Sequence, residues 1–87
     1  MDYEWEEQKS LETLAKRGYD FSIVYDFDWT TAIITHDERY DYGEARFRAH
    51  GRIGEKPFCV AFTLRETNIR IISVFRIHEK EARRRGI

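Results

Sequence analysis

The chain has 87 residues, 41% hydrophobic, 15% aromatic and 36% charged, with a formal net charge of −1. Those values describe one small folding domain spanning residues 1–87; balanced charge signs exclude a disordered polyelectrolyte. No apolar run is long enough for a membrane-spanning helix, and the single Cys59 excludes an internal disulfide.

The first residues, Met1-Asp2-Tyr3-Glu4-Trp5-Glu6-Glu7, are acidic and lack an apolar leader, so a cytoplasmic protein is expected. Glu6 to Arg17 reads as a helix, with Trp5, Leu11, Leu14 and Ala15 on one apolar face. Lys16 and Arg17 suit its C-terminal end, and Gly18 can take the left-handed cap. Asp20 to Phe27 predicts a second short helix packed through Phe21, Val24 and Tyr25. Thr30 to His36 is β-branched and predicts a strand, followed by a polar, aromatic loop from Asp37 to Gly43. Three further strands are expected at Glu44–Arg52, Phe58–Arg65 and Ile69–Arg76, with turns at Gly54-Glu55 and Thr67-Asn68. His78 to Arg85, acidic first and basic last, predicts a terminal helix. Helices, then an antiparallel meander, then a helix make an α+β domain.

Charge is unevenly divided along the chain. Residues 1–43 carry eleven acids against four bases, net −7, and residues 44–87 five acids against eleven bases, net +6. Such a split fits either a basic half that meets an anion or two halves that attract one another.

Period-two alternation sorts the side chains of the three long strands. Ala45, Phe47 and Ala49 oppose Glu44, Arg46, Arg48, His50 and Arg52. Phe58, Val60, Phe62 and Leu64 oppose Cys59, Ala61, Thr63 and Arg65. Ile69, Ile71, Ser73 and Phe75 oppose Arg70, Ile72, Val74 and Arg76. Even-length hairpin loops place all three apolar sets on one side. They also place Arg65 opposite Arg70, Glu44 opposite Arg65, Arg46 opposite Thr63, His50 opposite Cys59, and Cys59 opposite Arg76. One face is then a core. The other carries Glu44, Arg46, Arg48, His50, Thr63, Arg65, Arg70 and Arg76. Arg70 and Arg76 share that face about 20 Å apart at ~3.3 Å per residue, too far to grip one phosphate together. Two facing arginines repel, so either Glu44 or a bound phosphate should compensate. An ordinary solvated face with a surface ion pair is the alternative.

No zinc-like spacing joins His36, His50, His78 and Cys59, and there is no glycine-rich phosphate loop, nucleophile elbow or HExxH. A metal-free mechanism, if there is one, must rest on arginines, carboxylates and one histidine at most.

Several pieces in order resemble one family. They are Tyr3-Glu4-Trp5-Glu6-Glu7 before Lys9, Arg17-Gly18 with Phe21, Arg39, Tyr42-Gly43-Glu44 with Arg46-Phe47, and Gly51. Thr63-x-Arg65, Arg70-Ile71-Ile72-Ser73, Arg76 and Glu81 follow. In this order and spacing the chain resembles the BrnT toxins of bacterial type II toxin–antitoxin systems, relatives of the RelE-like ribonucleases. The chain departs from that pattern at Arg17, where the family usually has His, and at Phe75, where many members have a second basic residue. Val74 and Ile77 replace small residues, the tail lacks the usual tyrosine, and His50 matches no family position.

The resemblance implies a RelE-like fold, with N-terminal helices on one face of an antiparallel sheet, a short C-terminal helix, and an open face that binds RNA. It implies a metal-independent endoribonuclease without cofactor, which inhibits translation and growth. Its partner would be a ribbon-helix-helix antitoxin in a heterotetramer that represses its own operon; the toxin itself would not read DNA sequence or bind a membrane. Within that reading Arg65 and Arg70 stabilise the phosphoryl oxygens, Arg76 holds a neighbouring phosphate, Arg46 positions the backbone and Glu44 is the base. Arg48, His50 and Thr63 complete the RNA-binding set. The competing reading is a non-catalytic partner of the antitoxin that acts in autoregulation.

Overall fold

A computed structural model describes residues 2–87. Strand β1 is Tyr3–Trp5, helix α1 Glu7–Arg17, β2 Ile33–His36, β3 Arg46–Ile53, β4 Lys56–Arg65, β5 Asn68–Arg76 and helix α2 Glu79–Arg85. A 3₁₀ turn at Phe21–Asp26 takes the place of the predicted second helix. The sheet runs β1-β5-β4-β3-β2.

The fold is α+β as expected, but the sheet is mixed. β1 pairs in parallel with β5, Tyr3 against Ile69 and Trp5 against Ile71. Nothing local in three residues flanked by acids announces a strand; β5's open edge recruits it. β1 covers that edge only as far as Ile71. Beyond it, the Arg17 guanidinium donates to the Val74 carbonyl at 3.0 Å, and the Tyr19 hydroxyl accepts from the Arg76 amide at 3.0 Å. These contacts satisfy backbone groups that an edge leaves unpaired.

Helix α1 ends as predicted, with Gly18 at φ 82° donating to the Leu14 carbonyl. Its packing differs from expectation. Ser10 is its only buried residue, accepting from the Phe21 amide at 3.0 Å, while Leu11 and Leu14 are 51% and 44% exposed. The 3₁₀ turn, not α1, covers the sheet. Phe21, Val24 and Phe27 pack on Ala49, Phe58, Val60, Phe62, Ile71 and Val74. Gly51 makes room for this layer, because a Cβ there would lie 2.7 Å from Phe27 Cζ.

The β3–β4 hairpin has the predicted register: Arg46 faces Thr63 and His50 faces Cys59 across the Gly54-Glu55 turn. The β4–β5 hairpin does not. Its turn is Glu66-Thr67, with Glu66 at φ 55°, so Arg65 faces Asn68 and Arg70 faces Thr63. A slip of two preserves the faces. A bulge then changes them: Phe62 pairs with Ile71, Ala61 with Ser73, and Ile72 is the extra residue. Beyond it every side chain of β5 swaps sides. Val74 enters the core, fully buried, while Phe75 faces Cys59. Ser73 leaves the core side for the arginine side, and Arg76 crosses the other way, facing Phe58.

The bulge lets this end of the sheet bury apolar side chains on both faces. Val74 lies under the 3₁₀ turn, and Phe75 packs with Cys59, Ile77 and Ala82 of α2. Helix α2 therefore caps one end of the face opposite the main core. It is tied down by Arg52, whose guanidinium donates to both Glu79 oxygens at 2.6 and 3.1 Å and to the Ile87 carbonyl at 3.0 Å.

Candidate nucleic-acid interface

The loop between β2 and β3 is held at both ends. Arg39 donates to both Asp37 oxygens at 2.9 Å, and the Tyr42 hydroxyl donates to the same carboxylate at 3.2 Å. The Arg39 guanidinium holds the Asp37 carboxyl well below the usual carboxylate range. This staple positions Tyr42, and the Arg46 guanidinium lies 4.1 Å from its ring centre. At the other end buried Thr63 donates its hydroxyl to the Ala45 carbonyl at 2.6 Å. Thr63 is thus an anchor, with its only side-chain proton committed to the loop.

Glu44 stands between these anchors. Its carboxylate accepts from Arg65 Nη2 at 3.2 Å and from Arg46 Nε at 3.4 Å. Arg70, half-buried on the same face, is diagonal to Arg65 rather than opposite, and its Nη1 lies 3.8 Å from Glu4 Oε2. The repulsion expected of two facing arginines is therefore relieved by the register and by one carboxylate on each. Glu44, Arg46, Arg65 and Arg70 converge at the end of the face that α2 leaves uncovered. Their ion pairs are partly exposed, so they are weak and can be exchanged for another anion.

Three expected members lie elsewhere. Arg76 is on the core side, with its guanidinium 5.6 Å from the Phe58 ring centre. His50 is 2% exposed beside α2, and its Nδ1 has no hydrogen-bond partner. Burial, then the nearby Arg85 and Arg48 charges, hold its pKa below the ordinary histidine value, against a smaller opposing pull from Glu81. It stays neutral and away from solvent. Arg48 remains on the arginine face but apart from Glu44, its guanidinium 5.7 Å from the Phe75 ring centre.

Cys59 is no nucleophile, since burial pushes its thiol up to about 11. Among the described residues no three His, Cys, Asp or Glu side chains converge as a cation site. Sequence reasoning missed Glu4, because β1 exists only through β5. It missed Tyr42 although Tyr42 adjoins Gly43-Glu44; the Asp37-x-Arg39 pair was the available signal for an ordered loop there.

Fold and site together define a small α+β protein that presents an arginine-rich sheet face suited to a polyanion. No helix among the described residues is long and apolar enough to cross a membrane. Residues 5–81 match the model of the family described as ribonuclease toxin, BrnT, of type II toxin-antitoxin system, and the chain belongs to that family. It is a ribonuclease toxin, and its system supplies an antitoxin as partner. No curated protein matches the chain.

Proposed function

We propose that the protein is a RelE-like, cytoplasmic endoribonuclease that cleaves RNA without a metal, at the cluster of Glu44, Arg46, Arg65 and Arg70. The observation that carries this reading is a cluster of three guanidiniums on an uncovered sheet face, Arg46 and Arg65 paired with Glu44 and Arg70, in the same cross-strand row as Arg46, paired with Glu4. The ribose 2′-oxygen attacks the adjacent phosphorus and loses its proton to Glu44. The bond from phosphorus to the 5′ oxygen breaks, leaving a 2′,3′-cyclic phosphate and a 5′-hydroxyl protonated from water. His50, buried and neutral, is not assigned that proton.

Arg65 and Arg70 stabilise the charge that develops on the phosphoryl oxygens, and Arg46, fixed by Tyr42, positions the backbone. Substrate phosphate draws the guanidiniums away from Glu44 and releases its oxygen as the base. Thr63 acts through Ala45 by holding the Glu44 loop. Arg76 has no part in the reaction.

The antitoxin is of ribbon-helix-helix type, joins the toxin in a heterotetramer and carries the DNA-reading role. This follows the pattern that the family resemblance implies. Purified protein incubated with RNA, with and without chelator, tests the mechanism. Cleavage should persist in chelator, leave cyclic-phosphate termini and fall roughly 100- to 1,000-fold in Arg65→Ala or Arg70→Ala. Cleavage abolished by chelator, or folded arginine variants with wild-type rates, would sink it.

A further inference from the structure

The bulge in β5 brings an aromatic ring onto the arginine face. Phe75 pairs across the sheet with Cys59, on the side of Arg46, Arg48 and Thr63, and is only partly buried against Ile77 and Ala82. Two guanidiniums flank it: Arg48 from β3 at 5.7 Å from the ring centre and Arg17 from α1 at 5.8 Å. Both lie over the ring at the outer range of a cation–π contact, looser than Arg46 at 4.1 Å on Tyr42, so a stacking base would take the place of one of them. Arg48 enters no ion pair among the described residues, and its Nε is buried without a hydrogen-bond partner. A cation held without a counter-ion beside a partly exposed ring is arranged for a ligand that is both aromatic and anionic.

The surface continues past Phe75 along α1. Lys9, Thr13, Lys16 and Arg17 recur at helical spacing and, with Glu12, Phe21, Ile72 and Ser73, line a groove of about 290 Å³ in which three cations outnumber one carboxylate. Neither lysine takes part in an ion pair among the described residues. We infer that Phe75 is the stacking platform for one unpaired nucleobase of the RNA, bracketed by Arg17 and Arg48, and that the Lys9–Lys16 groove takes the phosphates beyond it. The inference rests on the arginine face being the RNA face and adds a base subsite to it. Single-stranded nucleic acid is held in this way, by aromatic faces for bases and cations for backbone. A leucine would fill the small cluster with Cys59, Ile77 and Ala82, but it offers a base no π-surface.

The test uses a short 2′-O-methyl oligoribonucleotide, which binds but lacks the attacking hydroxyl, with 2-aminopurine placed at each position in turn. Wild-type protein should quench the probe strongly at one position through stacking. Phe75→Leu, checked for folding by circular dichroism, should lose that quenching and bind about tenfold more weakly. Phe75→Tyr should restore both. If wild type binds but quenches no position, or if Phe75→Leu binds and quenches like wild type, the platform is refuted while the RNA face stands. If wild type binds no oligonucleotide, the RNA-face reading falls and the platform with it. Should Phe75→Leu fail to fold, the quenching by wild type and Phe75→Tyr decides alone.

Discussion

Replacing Val74 by alanine distinguishes the bulged strand from a regular one. Uninterrupted alternation puts Val74 beside Arg70 on the polar face, where its truncation would change stability little. In the structure Val74 is fully buried between the 3₁₀ turn and the sheet. Val74→Ala removes the equivalent of two buried methylenes, about 0.8 kcal/mol each, and leaves a cavity that collapses incompletely. The expected loss is about 2–3 kcal/mol. For a domain of this size that lowers Tm by about 10–20 °C. Urea unfolding followed by circular dichroism measures it, with Arg76→Ala as the companion variant. Arg76 is exposed, and its truncation should stay within about 0.5 kcal/mol of wild type. A loss below ~0.5 kcal/mol for Val74→Ala would refute the bulge and return Phe75 to the core.

Thr63→Val keeps the shape but removes the donor to Ala45, so it should cost about 1–2 kcal/mol in urea and also slow RNA cleavage by loosening Glu44. Unchanged stability together with an unchanged rate would rule out the anchor. Arg76→Ala should cleave RNA at the wild-type rate while Arg70→Ala does not; equal losses in a gel assay would restore Arg76 to the site. Gly51→Ala forces a Cβ to within 2.7 Å of Phe27 Cζ and should destabilise by about 1–3 kcal/mol, measured by thermal melting. His50 binds its proton less readily folded than unfolded, so the unfolded state takes up the extra proton as pH falls below about 6.5. The stability from this group is full above that pH and declines below it. His50→Gln should show a shallower acid-side fall in Tm, and an identical pH profile would contradict the neutral buried state.

The sequence by itself determined the class of fold and most element positions. Period-two runs of Phe, Val and Ile define β3, β4 and β5, and Gly54 and Gly18 mark a turn and a helix cap through their positive φ. It also determined the partners within the β3–β4 hairpin, because a two-residue turn and an apolar stripe allow one parity. The family pattern was likewise readable as an order of short pieces, and Glu44 beside Arg65 followed from register alone. Tertiary structure decided the rest. β1 forms because β5 offers an edge, and Glu4 reaches Arg70 only through that pairing. Leu11 and Leu14 have helical spacing yet stay exposed, since periodicity says which residues share a face but not what covers it. The largest change, the exchange of Phe75 and Arg76 between faces, comes from one extra residue at Ile72. Alternation is a local rule, whereas a bulge answers to the packing of both faces at once, here the 3₁₀ turn on one side and α2 on the other.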